Sequence, residues 1–413
     1  MVLRDIYRLV ATLDWPRDEF DEKAQLLAPI AQLAWSQSLK RGNALETREW
    51  EQACLKYFAS QECVQQLLAM PVANWSSSVC ERFLSDRAFL LGLWGWLYSR
   101  ADVSPRPVLA LALVAYNWLS THRGSAASLD EDAYLLGQFS IVLAGSSRTL
   151  GEHRKSREWL DVAETWCTGF SSADALQARI EYGRLAGLYD VHQFSRALLR
   201  IPNLIDKFEG LGLDDDVAKS KFLRAACLKE RGDREALSSF LLLKTDPVVT
   251  RQPWFKAIVL INLADLHSGA GDLRTAVSLI KEAEGLLADS GRPYAQAHFY
   301  GVTAEILRDH GNIAAAVDYY SRALEIYESV GMAVYAAYLR LMLAEALITC
   351  GRVDRAADEI VAALPIIEQE KLVREGIAAV GLLRVSLSGR RLDARALRAL
   401  RESLSRSNQQ AEP

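Results

Sequence analysis

The sequence predicts an all-α solenoid built from antiparallel helix pairs, and three observations carry that prediction. The chain repeats itself with a 40-residue step: Ala236, Ala276, Ala316 and Ala356 are each 40 apart, as are Gly271, Gly311 and Gly351. The same phrase surrounds each mark, an apolar helix, a glycine turn, then Ala-x3-apolar-x2-Ala on a second helix. β-Strand patterning is almost absent. Self-similarity at a fixed period of this size means a stack of supersecondary units, each of which buries its apolar stripe only against its neighbours.

Residues 1–125 form an aromatic-rich helical N-terminal region, for nine of the ten tryptophans precede residue 170. Helical spacing shows in Leu3, Ile6, Tyr7 and Val10, again in Leu26, Leu27, Ile30, Leu33 and Ala34, and a third helix starts near Thr47 as N-cap. Pro16, Pro29, Pro71, Pro105 and Pro107 punctuate the region. These helices fit the later template poorly, which leaves drifted repeats or a separate helical cap. The apolar runs Ala88–Tyr98 and Val108–Leu119 fall well short of the ~20 residues a membrane-spanning helix needs, so they read as buried core helices. Trp75, Trp94, Trp96, Tyr98, Tyr116 and Trp118 are expected to fill that core; a surplus at the surface would mark an interface.

Residues 126–370 hold six helix pairs, with reference positions at 156, 197, 236, 276, 316 and 356. Small residues there let helices approach closely while larger apolar residues fill between them. Glycine at the turn ends the first helix in a left-handed conformation without steric cost. The pair around Ala197 lacks that glycine, and the turn before Ala236 is one residue shorter. Residues 371–413 read as capping helices and a frayed tail. Leu397, Leu400 and Leu404 share one helix face there, and Arg391, Arg395, Arg398 and Arg401 lie on another, as a solvated surface or a basic docking stripe.

On these residues the chain resembles the tetratricopeptide repeat family, whose motif runs large, large, small, large on the first helix and Ala, aromatic, Ala on the second. Tyr300, Thr303, Ala304 and Leu307 followed by Ala316, Tyr320 and Ala323 match best. Leu260, Leu263, Ala264 and His267 with Ala276, Ile280 and Ala283 match apart from His267, and Leu343, Ala344 and Leu347 with Ala356, Ile360 and Ala363 match apart from Arg340. The step of 40 departs from the family's usual 34 and is similar to the longer-helix variety of bacterial regulatory proteins. The resemblance implies a right-handed superhelix whose inner groove, lined by the first helix of each pair, takes a peptide or helix of a partner protein. It implies a non-catalytic scaffold or adaptor in the cytoplasm, or else a ligand- or peptide-sensing regulator that controls an effector by rearranging its superhelix.

Composition argues the same way by exclusion. A net charge of −4 gives no electrostatic case for nucleic acid or an anionic membrane. Six scattered cysteines suit a reducing compartment and neither a disulfide framework nor a metal cage. The six histidines form no HExxH, and no phosphate-binding loop or nucleophile elbow is present, so no catalytic residue, metal or cofactor is expected. Asp214, Asp215 and Asp216 read as an acidic helix start, and His298 and His310 as exposed helix and turn residues. Projecting the family groove onto the chain aligns Asp265, Glu305 and Glu345 as an acidic ladder, with Arg308 beside it. Arg148, Arg179, Tyr182, Tyr189 and Lys219 lie on the equivalent face further back. Such a groove suits a peptide of mixed charge, whereas the plainer reading is three solvated acids.

Overall fold

The computed structural model describes residues 84–85, 87–101, 103–122, 129–167, 174–288 and 290–369. The helices expected near Leu3, Leu26 and Thr47 lie outside the described residues, as do the C-terminal helices with their arginine stripe. Fifteen helices and no strand make up the described part. They are α1 (Arg87–Tyr98), α2 (Pro105–Thr121), α3 (Leu129–Thr149), α4 (His153–Trp166), α5 (Asp174–Asp190), α6 (Phe194–Gly210), α7 (Asp214–Glu230) and α8 (Glu235–Lys244). After the single turn α9 (Pro247–Thr250) follow α10 (Pro253–Gly269), α11 (Leu273–Leu287), α12 (Pro293–Asp309), α13 (Ile313–Val330), α14 (Ala333–Thr349) and α15 (Val353–Gln369). The protein is thus all-α, a solenoid of helix pairs. None of these helices is long and apolar enough to cross a membrane.

The described residues fall into two compact units. The first takes those up to Arg148, with Glu152–Gly183 and Gly210–Gly212; the second takes Thr149–Gly151, Arg184–Glu209 and everything from Leu213. In the first unit the two apolar runs are core helices, as their length requires. Leu90, Leu91, Leu93 and Leu97 of α1 are fully buried with Val108, Ala112, Ala115 and Leu119 of α2, against Leu135, Leu136 and Phe139 of α3. Pro105 opens α2, where its missing N–H leaves no helical bond unmade. Trp94 belongs to this core, and Tyr116 packs edge-on against Trp159 at 5.2 Å. Glycine sets the closest approach between helices: a Cβ added at Gly183 of α5 would lie 2.8 Å from Leu160 of α4.

In the second unit the small-residue slots do what close packing asks of them. Ala276, Ala316 and Ala356 are fully buried, as are Ala283, Ala323 and Ala363 two turns on along the same face and Ala264, Ala304 and Ala344 on the partner helices. The second helices α11, α13 and α15 bury only a stripe, whereas α10 and α14 are buried nearly all round because each lies between neighbouring pairs. Two of the second helices, α11 and α13, start on side-chain caps. Asp272 accepts the N–H of Thr275 at 3.1 Å, and Asn312 that of Ala315 at 3.4 Å. The turn glycines Gly271 and Gly311 both sit at φ 82, in the left-handed region, with open space where a Cβ would go. Gly271→Ala is therefore expected to destabilise the second unit by about 1 kcal/mol through backbone strain alone, read as a shift in the denaturant midpoint at unchanged slope.

Candidate functional site

The polar side chains of the second unit converge where its first helices meet. Lys229, at the end of α7, holds its Nζ 2.6 Å from Asp265 Oδ2 of α10 and donates to Asn262 Oδ1 at 3.0 Å. Asn262 in turn donates to the Ile258 carbonyl at 2.9 Å, which fixes its amide. The lysine side chain is 14% exposed and the aspartate 27%, so the pair is largely withdrawn from water. Burial by itself pushes the ammonium of Lys229 down. The carboxylates of Asp265, Glu230 and Glu305 more than reverse this and hold its pKa above the ordinary lysine value.

Glu230 is open to solvent, yet protein crowds its carboxyl on enough sides that burial, opposed by Lys229 and aided by Asp265, raises its pKa. His298 of α12 is half-buried beside the same pair. Burial first, and the Lys229 charge second, lower its pKa to about 4 against the pull of Asp265. The expectation that His298 is an exposed helix residue is corrected here. Its ring lies on the side of α12 that meets α7 and α10, while His310 is exposed as expected.

A wall of tyrosines adjoins these charges. Tyr294 of α12 lies 5.7 Å edge-on from Tyr335 of α14 and 6.3 Å from Tyr327 of α13, and Tyr327 stacks on Tyr335 at 5.5 Å. Tyr294 also lies parallel to the His298 ring at 6.1 Å. Tyr189, from the last turn of α5, joins the group. Burial, then Glu230, Tyr294 and Tyr335, raise its hydroxyl well above the ordinary range. Tyr327 is raised likewise by burial, Tyr294 and Glu305. Cys227 is pushed up to about 12 by burial and Glu230, which makes it an inert thiol.

The residues singled out in the sequence therefore scatter over distinct environments. Tyr189, Asp265 and Glu305 belong to this cluster. Arg308 donates to Tyr320 Oη at 3.3 Å and to Asp309 Oδ1 at 2.9 Å. Glu345 keeps the 40-residue register and is buried, 3% exposed. Lys219 stands 4.0 Å from Asp216, whose run with Asp214 and Asp215 forms the first turn of α7. Arg148, Arg179 and Tyr182 belong to the first unit. Arg179 is 7% exposed there, with its guanidinium 5.1 Å over the Trp94 ring and 5.9 Å over Tyr98. Among the described residues no group of His, Cys, Asp and Glu is arranged to hold a metal ion.

No protein-family model matches the chain, and no curated protein matches it significantly in sequence. Solved structures do match. A Rap protein complexed with competence and sporulation factor aligns at TM-score 0.57 and 12% identity, over 86% of this chain and 99% of that one. The Rap conjugation gene regulator of plasmid pLS20, in complex with the Phr* peptide, aligns at TM-score 0.56 and 13% identity, over 85% of this chain and 96% of that one. At such identities the likeness is one of fold, a helical-repeat solenoid of tetratricopeptide type.

Proposed function

We propose that the protein is a non-catalytic peptide-binding regulator or adaptor of the cytoplasm, which takes a short segment of mixed charge on the inner faces of α5, α7, α10, α12 and α14. One observation carries the reading: Glu230, Asp265 and Glu305 surround Lys229 beside Tyr189, Tyr294 and Tyr335. Carboxylates supply partners for basic side chains, and phenol rings offer broad, stiff contact area at little entropic loss. Cys227 is held protonated, which leaves that thiol inert. A second reading, in which the bound peptide is a signal that rearranges the solenoid, draws support from the two fold neighbours, both solved with a peptide or factor bound.

The test is a fluorescence-anisotropy screen of the full chain against an array of short peptides of varied charge. Peptides with a basic residue are expected to bind, and Glu230→Gln with Glu305→Gln to weaken the best of them at least tenfold, ~1.4 kcal/mol. Unchanged binding by that double variant would exclude the cluster as the site. An array without a binder would sink the peptide reading itself.

A further inference from the structure

One turn in the second unit breaks the glycine rule, and it does so where two distant parts of the repeat meet. In the other described turns of this register the left-handed slot is glycine, at φ 82 for Gly151, Gly271 and Gly311 and 77 for Gly351. Between α5 and α6 the same slot, five residues before Ala197, holds His192 at φ 59. It is the one non-glycine residue with positive φ among those described. A left-handed residue with a Cβ is strained, so its side chain must matter to the surroundings or glycine would serve better. The His192 ring stands edge-on to Phe194 at 5.4 Å and edge-on to Tyr338 of α14 at 6.4 Å. More than three repeats of chain separate His192 from Tyr338.

The preceding turn meets the same helix. A Cβ on Gly151 would lie 2.4 Å from Val334 Cγ2 and 3.2 Å from Val334 Cβ, so the glycine backbone rests directly on that side chain. Val334 and Tyr338 are four residues apart and therefore share one face of α14. Next to them Tyr189 faces Tyr294 and Tyr335. All these residues belong to the second unit.

We infer that the first turns of α14 are an intramolecular docking face for the turns at Gly151 and His192, a clasp that holds when His192 is neutral and opens when it is protonated. The groups that face His192 are Asp190 on its own turn, the Phe194 ring, and Tyr338 across on α14. Burial lowers the imidazole pKa and outweighs Asp190, which raises it. In the open state the ring regains its ordinary value near 6.5. Above that pH both states are neutral and the clasp is undisturbed. As pH falls below it the open state takes up the proton first, and the clasp weakens. The clasp borders the proposed groove and is tested without any peptide, so either idea can fail alone.

Hydrogen exchange of the full chain, normalised for intrinsic rates, reads the clasp through the amides of residues 188–193 and 334–340. In the wild type, protection there is expected to fall between about pH 7.5 and about pH 5.5, by at most about tenfold. His192→Gly restores the residue the other turns use, so it keeps the turn and removes only the ring; protection should be low at both pH values. Gly151→Ala should lose the same protection and Gly311→Ala should not, since the two share a φ of 82 and only Gly151 meets Val334. Val334→Ala in the Gly151→Ala background should restore part of it. Wild-type protection in His192→Gly, or an undiminished pH response in that variant, would overturn the inference.

Discussion

Tyr320→Ala is expected to destabilise the second unit by about 3–5 kcal/mol, through the cavity it would open between two helix pairs. Tyr320 is fully buried and occupies the aromatic slot of α13 between Ala316 and Ala323, both of which are themselves fully buried. Small residues on either side bring the helix pairs together around the ring, and alanine neighbours are too short to fill the space it would leave. The hydroxyl adds a second effect, for Arg308 donates to it at 3.3 Å. Tyr320→Phe should therefore lose only about 1 kcal/mol, with Arg308 still held by Asp309. Denaturant unfolding of both variants separates the packing contribution from the polar one. Equal midpoints for Tyr320→Ala and the wild type would mean that this slot is not the keystone its burial indicates.

Acidification is the second large effect. His298 carries a pKa of about 4 in the folded protein against 6.5 for a free imidazole. Its folded value is depressed, so the unfolded chain binds the proton first as pH falls below 6.5. Stability then declines until about pH 4 and levels off, by up to about 3 kcal/mol for this one group. Part of the ring is open to water, which places the observed loss below that limit. His298→Gln should flatten the profile in this window. Glu230 acts in the opposite sense. Its folded pKa is raised, so the native state binds a proton more readily and gains stability as pH falls. Glu230→Gln should accordingly steepen the acid loss. Melting temperatures of the three proteins between pH 7 and pH 4 provide the check.

The repeat is legible in the sequence because close packing leaves few choices. Only small residues fit where two helix backbones nearly touch, and glycine best takes the left-handed turn before them, so Ala276, Ala316 and Ala356 and the glycines five residues earlier announce the pairs without any structure. The candidate site is legible only in part. Register aligns Asp265, Glu305 and Glu345, and the helices do carry them at equivalent places. Register says nothing about what faces a helix from the next pair, however, and there the three differ: Asp265 meets Lys229, Glu305 acts electrostatically on both Lys229 and Arg308, and Glu345 is buried. Lys229 and His298 sit at other positions of the repeat and enter the cluster from neighbouring helices, a pairing that no spacing rule encodes. The available signal is a lone lysine in the last turn of α7, the first helix of the pair before that of Asp265. Arg179 shows the converse. Its register suggests a groove cation, whereas the aromatic rings of the first unit provide its partner.

The contact of Gly151 and His192 with α14 also makes the solenoid a ruler. Each helix pair is interchangeable with the next in its own geometry, so a gene that gained or lost one 40-residue segment in phase would still encode well-formed pairs and turns. Such a change would nevertheless carry Val334 and Tyr338 one pair away from the turns they meet. The number of pairs between those turns and α14 is thereby counted by the folded protein itself, and an in-phase gain or loss of one pair is expected to remove this contact even where every repeat is sound.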